Sequence, residues 1–198
     1  MTMLILASAS GIRARLLREA GVCFGVRPPN VDETNIKQRL RAGGVASEAF
    51  ADALAEAKAL DVSNASPQAL VLGCDQVLVS GDRLFDKARD TAEARETLAF
   101  LRGKDHHLVS ACVLAQGGKP VWRYAERATL HMRAFSDEFL DAYLKTEGKL
   151  VLSAVGCYQL EGRGAQLFDT IEGDFFCVLG LPLLPLLAAL RERGLVVS

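Results

Sequence analysis

The chain has 198 residues, half of them hydrophobic, and a formal net charge of −1. It is long enough to bury a real core and too apolar for a disordered polymer. With no basic tail or lysine-rich run it lacks the bulk charge for non-specific nucleic-acid binding, and no apolar run reaches the ~18–20 residues of a membrane helix.

Taken in chain order, Leu4–Ala7 reads as a buried strand, and residues 10–20 as a helix stopped by Gly21. The uncharged opening MTMLILASAS has no positive flank and is not read as a signal peptide. Val22–Arg27 reads as a second strand ended by Pro28 and Pro29. Val31-Asp32-Glu33 follows as an exposed acidic turn. Ser47 starts a helix running to about Leu60, with Phe50, Leu54 and Ala57 as its stripe, Ala53 and Leu60 beside it, and Lys58 at the edge. Leu70–Gly73 and Val77–Ser80 read as strand segments, followed by a Ser-Gly-Asp turn. Asp90 caps a helix with Glu93 three residues on, Ala94, Leu98 and Leu101 as its buried face, and Gly103 as its end.

Leu108–Ala115 and Val121–Ala134 flank Gly-Gly-Lys-Pro and read as a long hairpin. Its second strand puts Trp122, Tyr124, Ala128, Leu130, Met132 and Ala134 on one face, interrupted by Glu126, and Arg123, Arg127 and Arg133 on the other. Ser136 caps a helix that buries Phe139, Leu140, Tyr143 and Leu144, and a last helix runs from near Pro182 to Gly194. Irregular alternation with hairpins in the middle predicts α/β architecture on a mixed sheet rather than a doubly wound parallel one. Five scattered cysteines without Cys-x-x-Cys and only three histidines argue against a zinc site and for reduced thiols in a cytoplasmic protein.

Several stretches carry chemistry. Leu4–Leu17 joins a strand to a helix through Ser8-Ala9-Ser10-Gly11, which presents backbone N–H groups and a positive dipole end to an anion. Ser8 and Ser10 add hydroxyls, and Arg13 can fork onto a phosphate. The plain structural alternative makes Ser10 an N-cap and Arg13 a surface charge. Asp75, set among apolar residues of Leu-Gly-Cys-Asp-Gln-Val, would lose hydration when ionised and needs cations, hydrogen bonds or a metal nearby. Its alternative is a carboxylate bonded to local backbone. Glu33, Lys87 in Phe85-Asp86-Lys87-Ala88, and Glu161 between Gly162 and the preceding Leu160 complete the candidates. Carboxylates and cations in this mixture suit phosphoryl transfer.

These pieces resemble the Maf family of nucleoside triphosphate pyrophosphatases over nearly the whole chain. The carriers are LILASAS with RARLL, VDE at 31–33, ALAEAKA around Lys58, GCDQV at 73–77, DKARD at 86–90, GCYQLEGRGAQLF at 156–168 and the segment 171–191. The resemblance implies one Maf-like domain over 1–198, with two lobes around a deep cleft on an elongated mixed sheet similar to inosine triphosphatases, and a homodimer. It implies hydrolysis of a nucleoside triphosphate to the monophosphate and pyrophosphate with Mg²⁺ or Mn²⁺. Ser8 and Arg13 would then bind phosphate, Lys58 and Lys87 would neutralise the polyphosphate, and Glu33 would hold the metal or position water. Asp75 would be the general base or metal-linked activator of water, and Glu161 would bear on substrate choice. Asp75-Gln76 with Glu161 is closer to the branch acting on 7-methyl-GTP.

The family's Ser-Pro-Arg-Arg stands here as Ser10-Gly11-Ile12-Arg13, and its Gly-Lys-Pro as Asp86-Lys87-Ala88. A proline and an arginine are absent at the first. The second reading, a nucleotide-binding regulator of division with little catalysis, draws on that loss and on the family's association with septum formation. A third, a nucleic-acid module built on Arg123, Arg127 and Arg133, runs against the near-neutral charge.

Overall fold

A computed structural model describes residues 3–197; Met1 and Thr2 of the uncharged opening stretch lie outside the described residues. The strands are β1 (Leu4–Ala7), β2 (Gly25–Val26), β3 (Leu70–Ser80), β4 (Arg83–Phe85), β5 (Asp105–Gln116), β6 (Lys119–Met132) and β7 (Phe168–Glu172). Among the described residues they form a seven-stranded sheet ordered β2-β1-β3-β5-β6-β7, with β4 paired to β3. β1 pairs parallel with β2 and β3, whereas β3–β4 and β6–β7 are antiparallel, so the sheet is mixed, as the alternation of elements predicts. The helices are α1 (Gly11–Glu19), α2 (Glu33–Ala42), α3 (Phe50–Ala65), α4 (Thr91–Leu101), α5 (Asp137–Glu147), α6 (Phe175–Val178) and α7 (Leu183–Glu192).

The chain forms two compact units. The first holds the residues up to Gln76, 109–126 and those from Asp174 onward. In it β1 and the start of β3 are buried on both faces, which is why they read as unbroken apolar runs. On one face Leu4, Leu6, Leu70, Leu72 and Cys74 pack with Leu16 and Leu17 of α1 and Leu186 and Leu190 of α7. On the other, Ile5, Ala7 and Val71 pack with Val62 of α3. The buried face of α3 is Phe50, Ala51, Leu54, Ala55, Lys58, Ala59 and Val62. The expected stripe is thus rotated: Ala53, Ala57 and Leu60 are only half-buried. Ala55 and Ala59 lie against Gly73 of β3, and this close approach sets which side of α3 faces the sheet.

The second unit holds 77–108 and 127–173. Here Ala128, Leu130 and Met132 of β6 point inward, as their alternation predicts. Ser136 and Asp90 cap α5 and α4, accepting from Phe139 N and Glu93 N. Phe85 and Phe100 form a tilted pair, with the Arg83 guanidinium 4.5 Å from the Phe85 centroid. His106 is fully buried, with Nε2 2.7 Å from the Tyr158 hydroxyl. Burial disfavours the imidazolium and lowers the His106 pKa to about 4. The unfolded chain therefore binds this proton more readily than the folded one. The fold thus loses stability as pH falls from the ordinary histidine value, 6.5, towards about 4, and this cost is absent above 6.5. A shift of that size is worth roughly 3 kcal/mol. Denaturant midpoints measured between pH 4 and 7 should fall steeply for the parent chain and less steeply for His106→Phe; parallel curves would remove His106 from that acid sensitivity.

Candidate active site

The turn between β1 and α1 begins the site. Ser10 is extended at φ −70° and accepts from Arg13 N, a helix N-cap. Ser8 is buried and its Oγ accepts from Ser10 N at 3.2 Å and from Arg13 Nη1 at 3.3 Å. With both those contacts made to its oxygen, the Ser8 hydroxyl proton is left to donate. Arg13 is 9% exposed. Its Nε donates to Gly180 O at 2.8 Å, and Nη1 also donates to Cys74 O at 2.9 Å. The surface-charge alternative therefore does not describe Arg13. The guanidinium ties the first turn to β3 and to the turn after α6, leaving Nη2 as its edge without a hydrogen-bond acceptor among the described residues.

Asp75 lies within β3, not between two strands, because the ladder continues through Gly73, Asp75 and Gln76. Its Oδ1 is 2.5 Å from Lys58 Nζ. The same ammonium is 2.7 Å from Oε1 of Glu33. Asp75 and Lys58 are both buried, while Glu33 is partly exposed. Burial pushes the Asp75 carboxyl above the ordinary aspartate range, opposed by the nearby charges of Lys58 and then Arg13. This is the pattern of a base held ionised but kept basic.

Glu33 gets there by a route the expected acidic turn did not include. Asp32 Oδ1 accepts from Asn35 N at 3.0 Å, so Val31-Asp32-Glu33 opens α2, with Glu33 as its first residue. α2 has no fully buried residue, and its apolar face is only the half-buried pair Ile36 and Leu40, a short signal among charged neighbours. Lys58, expected at a helix edge, is carried inside because two carboxylates receive it.

Gln76, which with Asp75 points to the family branch, is a half-buried anchor in this structure. Its Nε2 lies 3.0 Å from each of Ser110 Oγ, Cys177 O and Val178 O. Two of these are carbonyls, so the amide orientation is fixed. A Cβ added to Gly180 would sit 3.4 Å from Arg13 Nη2 and 3.7 Å from the Gln76 amide carbon. The signal available in sequence was an amide side chain inside an apolar strand.

Among the described residues no group of three or more His, Cys, Asp or Glu converges as a metal site. The two carboxylates meeting at Lys58 nevertheless fit the way Mg²⁺ is usually held, by one or two protein carboxylates together with substrate phosphates.

A model for the family described as Maf-like protein matches residues 3–193. The chain belongs to the Maf family. A nucleoside triphosphate pyrophosphatase of Granulibacter bethesdensis is 50% identical over 190 residues, covering 96% of each chain. A 7-methyl-GTP pyrophosphatase of Rhizobium meliloti is 48% identical over 194 residues, 98% of each.

Of the seven residues expected from the Maf resemblance, Ser8, Arg13, Glu33, Lys58 and Asp75 lie in the first unit, grouped as described above. Lys87 and Glu161 belong to the second unit, both exposed and both engaged in contacts of their own. The arginine face of β6 is committed to protein groups. Arg123 bonds Asp52 at 2.7 Å and Glu56 at 2.8 Å, and Arg133 donates through Nε to Gln166 O at 2.5 Å. Arg127 is likewise engaged. Such pairing uses the charge a nucleic-acid surface would need free. No helix among the described residues is long and apolar enough to cross a membrane.

Proposed function

We propose that the protein is a nucleoside triphosphate pyrophosphatase that cleaves the α–β phosphoanhydride, releasing the monophosphate and pyrophosphate. The observation that carries this reading is the convergence of Asp75 and Glu33 on Lys58 in the unit that also holds the Ser8–Arg13 turn. Asp75 accepts a proton from the attacking water, and its raised pKa makes it a stronger base than an exposed aspartate. Lys58 keeps it ionised. The Ser8 hydroxyl, the free edge of Arg13 and the N-terminus of α1 receive phosphate oxygens. Glu33 orients the water.

A divalent cation, held by Asp75 and Glu33 oxygens with those of the phosphates, would supply charge neutralisation and Lewis acidity at the anhydride. Lys87 is assigned to neutralising the polyphosphate and Glu161 to substrate choice, both from the family resemblance. The 7-methyl-GTP pyrophosphatase named among the relatives makes 7-methyl-GTP the first substrate to try. The protein works as a homodimer in the cytoplasm in this reading.

A panel of natural and methylated nucleoside triphosphates, assayed for pyrophosphate with Mg²⁺, with Mn²⁺ and with chelator, tests the proposal. Release from at least one triphosphate, abolished by chelator, is expected. Nucleotide binding with no pyrophosphate from any member would favour the regulator instead.

A further inference from the structure

The loop 154–167 is unusually constrained at its start. Cys157 is the one non-glycine with positive φ among the described residues, at 60°. Its carbonyl accepts from the Tyr143 hydroxyl at 3.2 Å. A Cβ on Gly156 would stand 2.3 Å from Cε1 of Tyr158, so that ring lies against bare backbone. Tyr158 packs edge-on against Phe168, with centroids 4.8 Å apart, and its hydroxyl meets His106 Nε2.

The next residue, Gln159, is the floor of the following turn. Its carbonyl accepts from Gly162 N at 3.2 Å, and a Cβ on Gly164 would fall 2.4 Å from that same oxygen. Glu161 is an exposed residue of this turn, beside the exposed Gly162. The turn's placement is thus handed down a short chain of contacts, from His106 on β5 to Tyr158 to Gln159.

Stability alone does not account for a histidine here. His106 is fully buried and its Nδ1 has no hydrogen-bond partner, which is a standing penalty that an apolar ring would avoid. A polar pair kept at a cost in stability marks a position held for geometry.

We propose that His106 and Tyr158 are positioning residues that hold the Glu161 turn in the orientation used for nucleobase selection. The proposal rests on the assignment of Glu161 to substrate choice made above.

The double variant H106F/Y158F tests it, because removing both partners together leaves no orphaned polar group. Its melting temperature should equal or exceed the parent's. Its preference for 7-methyl-GTP over GTP, as a ratio of kcat/KM values, should fall roughly tenfold. E161A should lower the ratio similarly, and the triple variant should fall no further, since the pair acts through Glu161. An unchanged ratio in H106F/Y158F, with E161A shifting it, would make the pair purely structural and overturn the proposal. A full additional loss in the triple variant would overturn it too. No effect of E161A would instead remove the assignment of Glu161 and the proposal with it. Should the double variant fail to fold, Tyr158→Phe alone, which deletes one oxygen, is read by the same ratio and by amide exchange across 157–164.

Discussion

Asp75→Asn should lower pyrophosphate release by about two to four orders of magnitude while leaving the protein folded. The substitution keeps the shape of the side chain and an oxygen for Lys58, and removes only the ability to take a proton. Burial is the largest influence on Asp75 and raises its pKa, with Lys58 and Arg13 pulling the other way. Two consequences follow for pH. The acid limb of kcat/KM should lie above the range of an exposed aspartate, and should be missing from the residual activity of Asp75→Asn. Lys58→Met, which takes away the strongest opposing charge, should move that limb higher still.

The stability consequence has the opposite sense to that of a salt-bridged surface carboxylate. A raised folded pKa means the native state holds a proton that the unfolded chain releases. Stability therefore declines as pH rises from the ordinary aspartate value through the raised one. Asp75→Asn escapes that decline, so at neutral pH its melting temperature should be no lower than the parent's. Steady-state kinetics with thermal melts on the same samples separate the outcomes. Full turnover in Asp75→Asn would take Asp75 out of the reaction, and a large drop in melting temperature would mean that the lost activity reflects unfolding.

What the sequence disclosed and what it hid divide along the range of the interactions involved. Helix caps are local: Ser10, Asp90 and Ser136 each accept from the backbone N–H three residues on, and a reader of five residues can see them. The apolar runs of β1 and β3 are visible for a similar reason. Glu33 is harder to place, because α2 offers only Ile36 and Leu40 as an apolar pair and the acidic residues at its start look like a turn. Lys58 and Asp75 stand out as candidates, yet nothing nearby in sequence says that one ammonium serves two carboxylates from residues 33 and 75. β7 has no sequence signature of its own, because its five residues are mostly exposed and are fixed as a strand by pairing with β6, as in Leu130 against Ile171. The anchoring of Gln76 is not legible locally, since its three acceptors come from residues 110, 177 and 178. Gly73, in the same motif, is what lets Lys58 and Asp75 come together, through contacts that only the fold shows.

Gly73→Ala should cost about 1–3 kcal/mol of stability and on the order of a hundredfold in turnover. Gly73 lies in β3 opposite Ala7 of β1, on the face covered by α3. A Cβ there would be 2.2 Å from Ala55 O, 2.6 Å from Ala59 N and 2.8 Å from Ala59 Cβ. None of these atoms is the free end of a flexible side chain, so the methyl is accommodated only if α3 shifts as a body. Lys58 sits between Ala55 and Ala59 on that helix, and Asp75 is two residues beyond Gly73 on the same face of the strand. Lifting α3 off Gly73 therefore lifts the ammonium off the carboxylate, and the buried charge of Asp75 loses its closest counterion. The usual effect of replacing glycine by alanine is slight stabilisation, through a less flexible unfolded chain. Gly25, with nothing within 4 Å of its would-be Cβ, should behave that way and serves as the control. Denaturant unfolding and pyrophosphate release measured for Gly73→Ala beside Gly25→Ala decide the matter. If both variants match the parent, α3 does not rest on β3 at this height, and the pairing of Lys58 with Asp75 must be enforced by something other than that close approach.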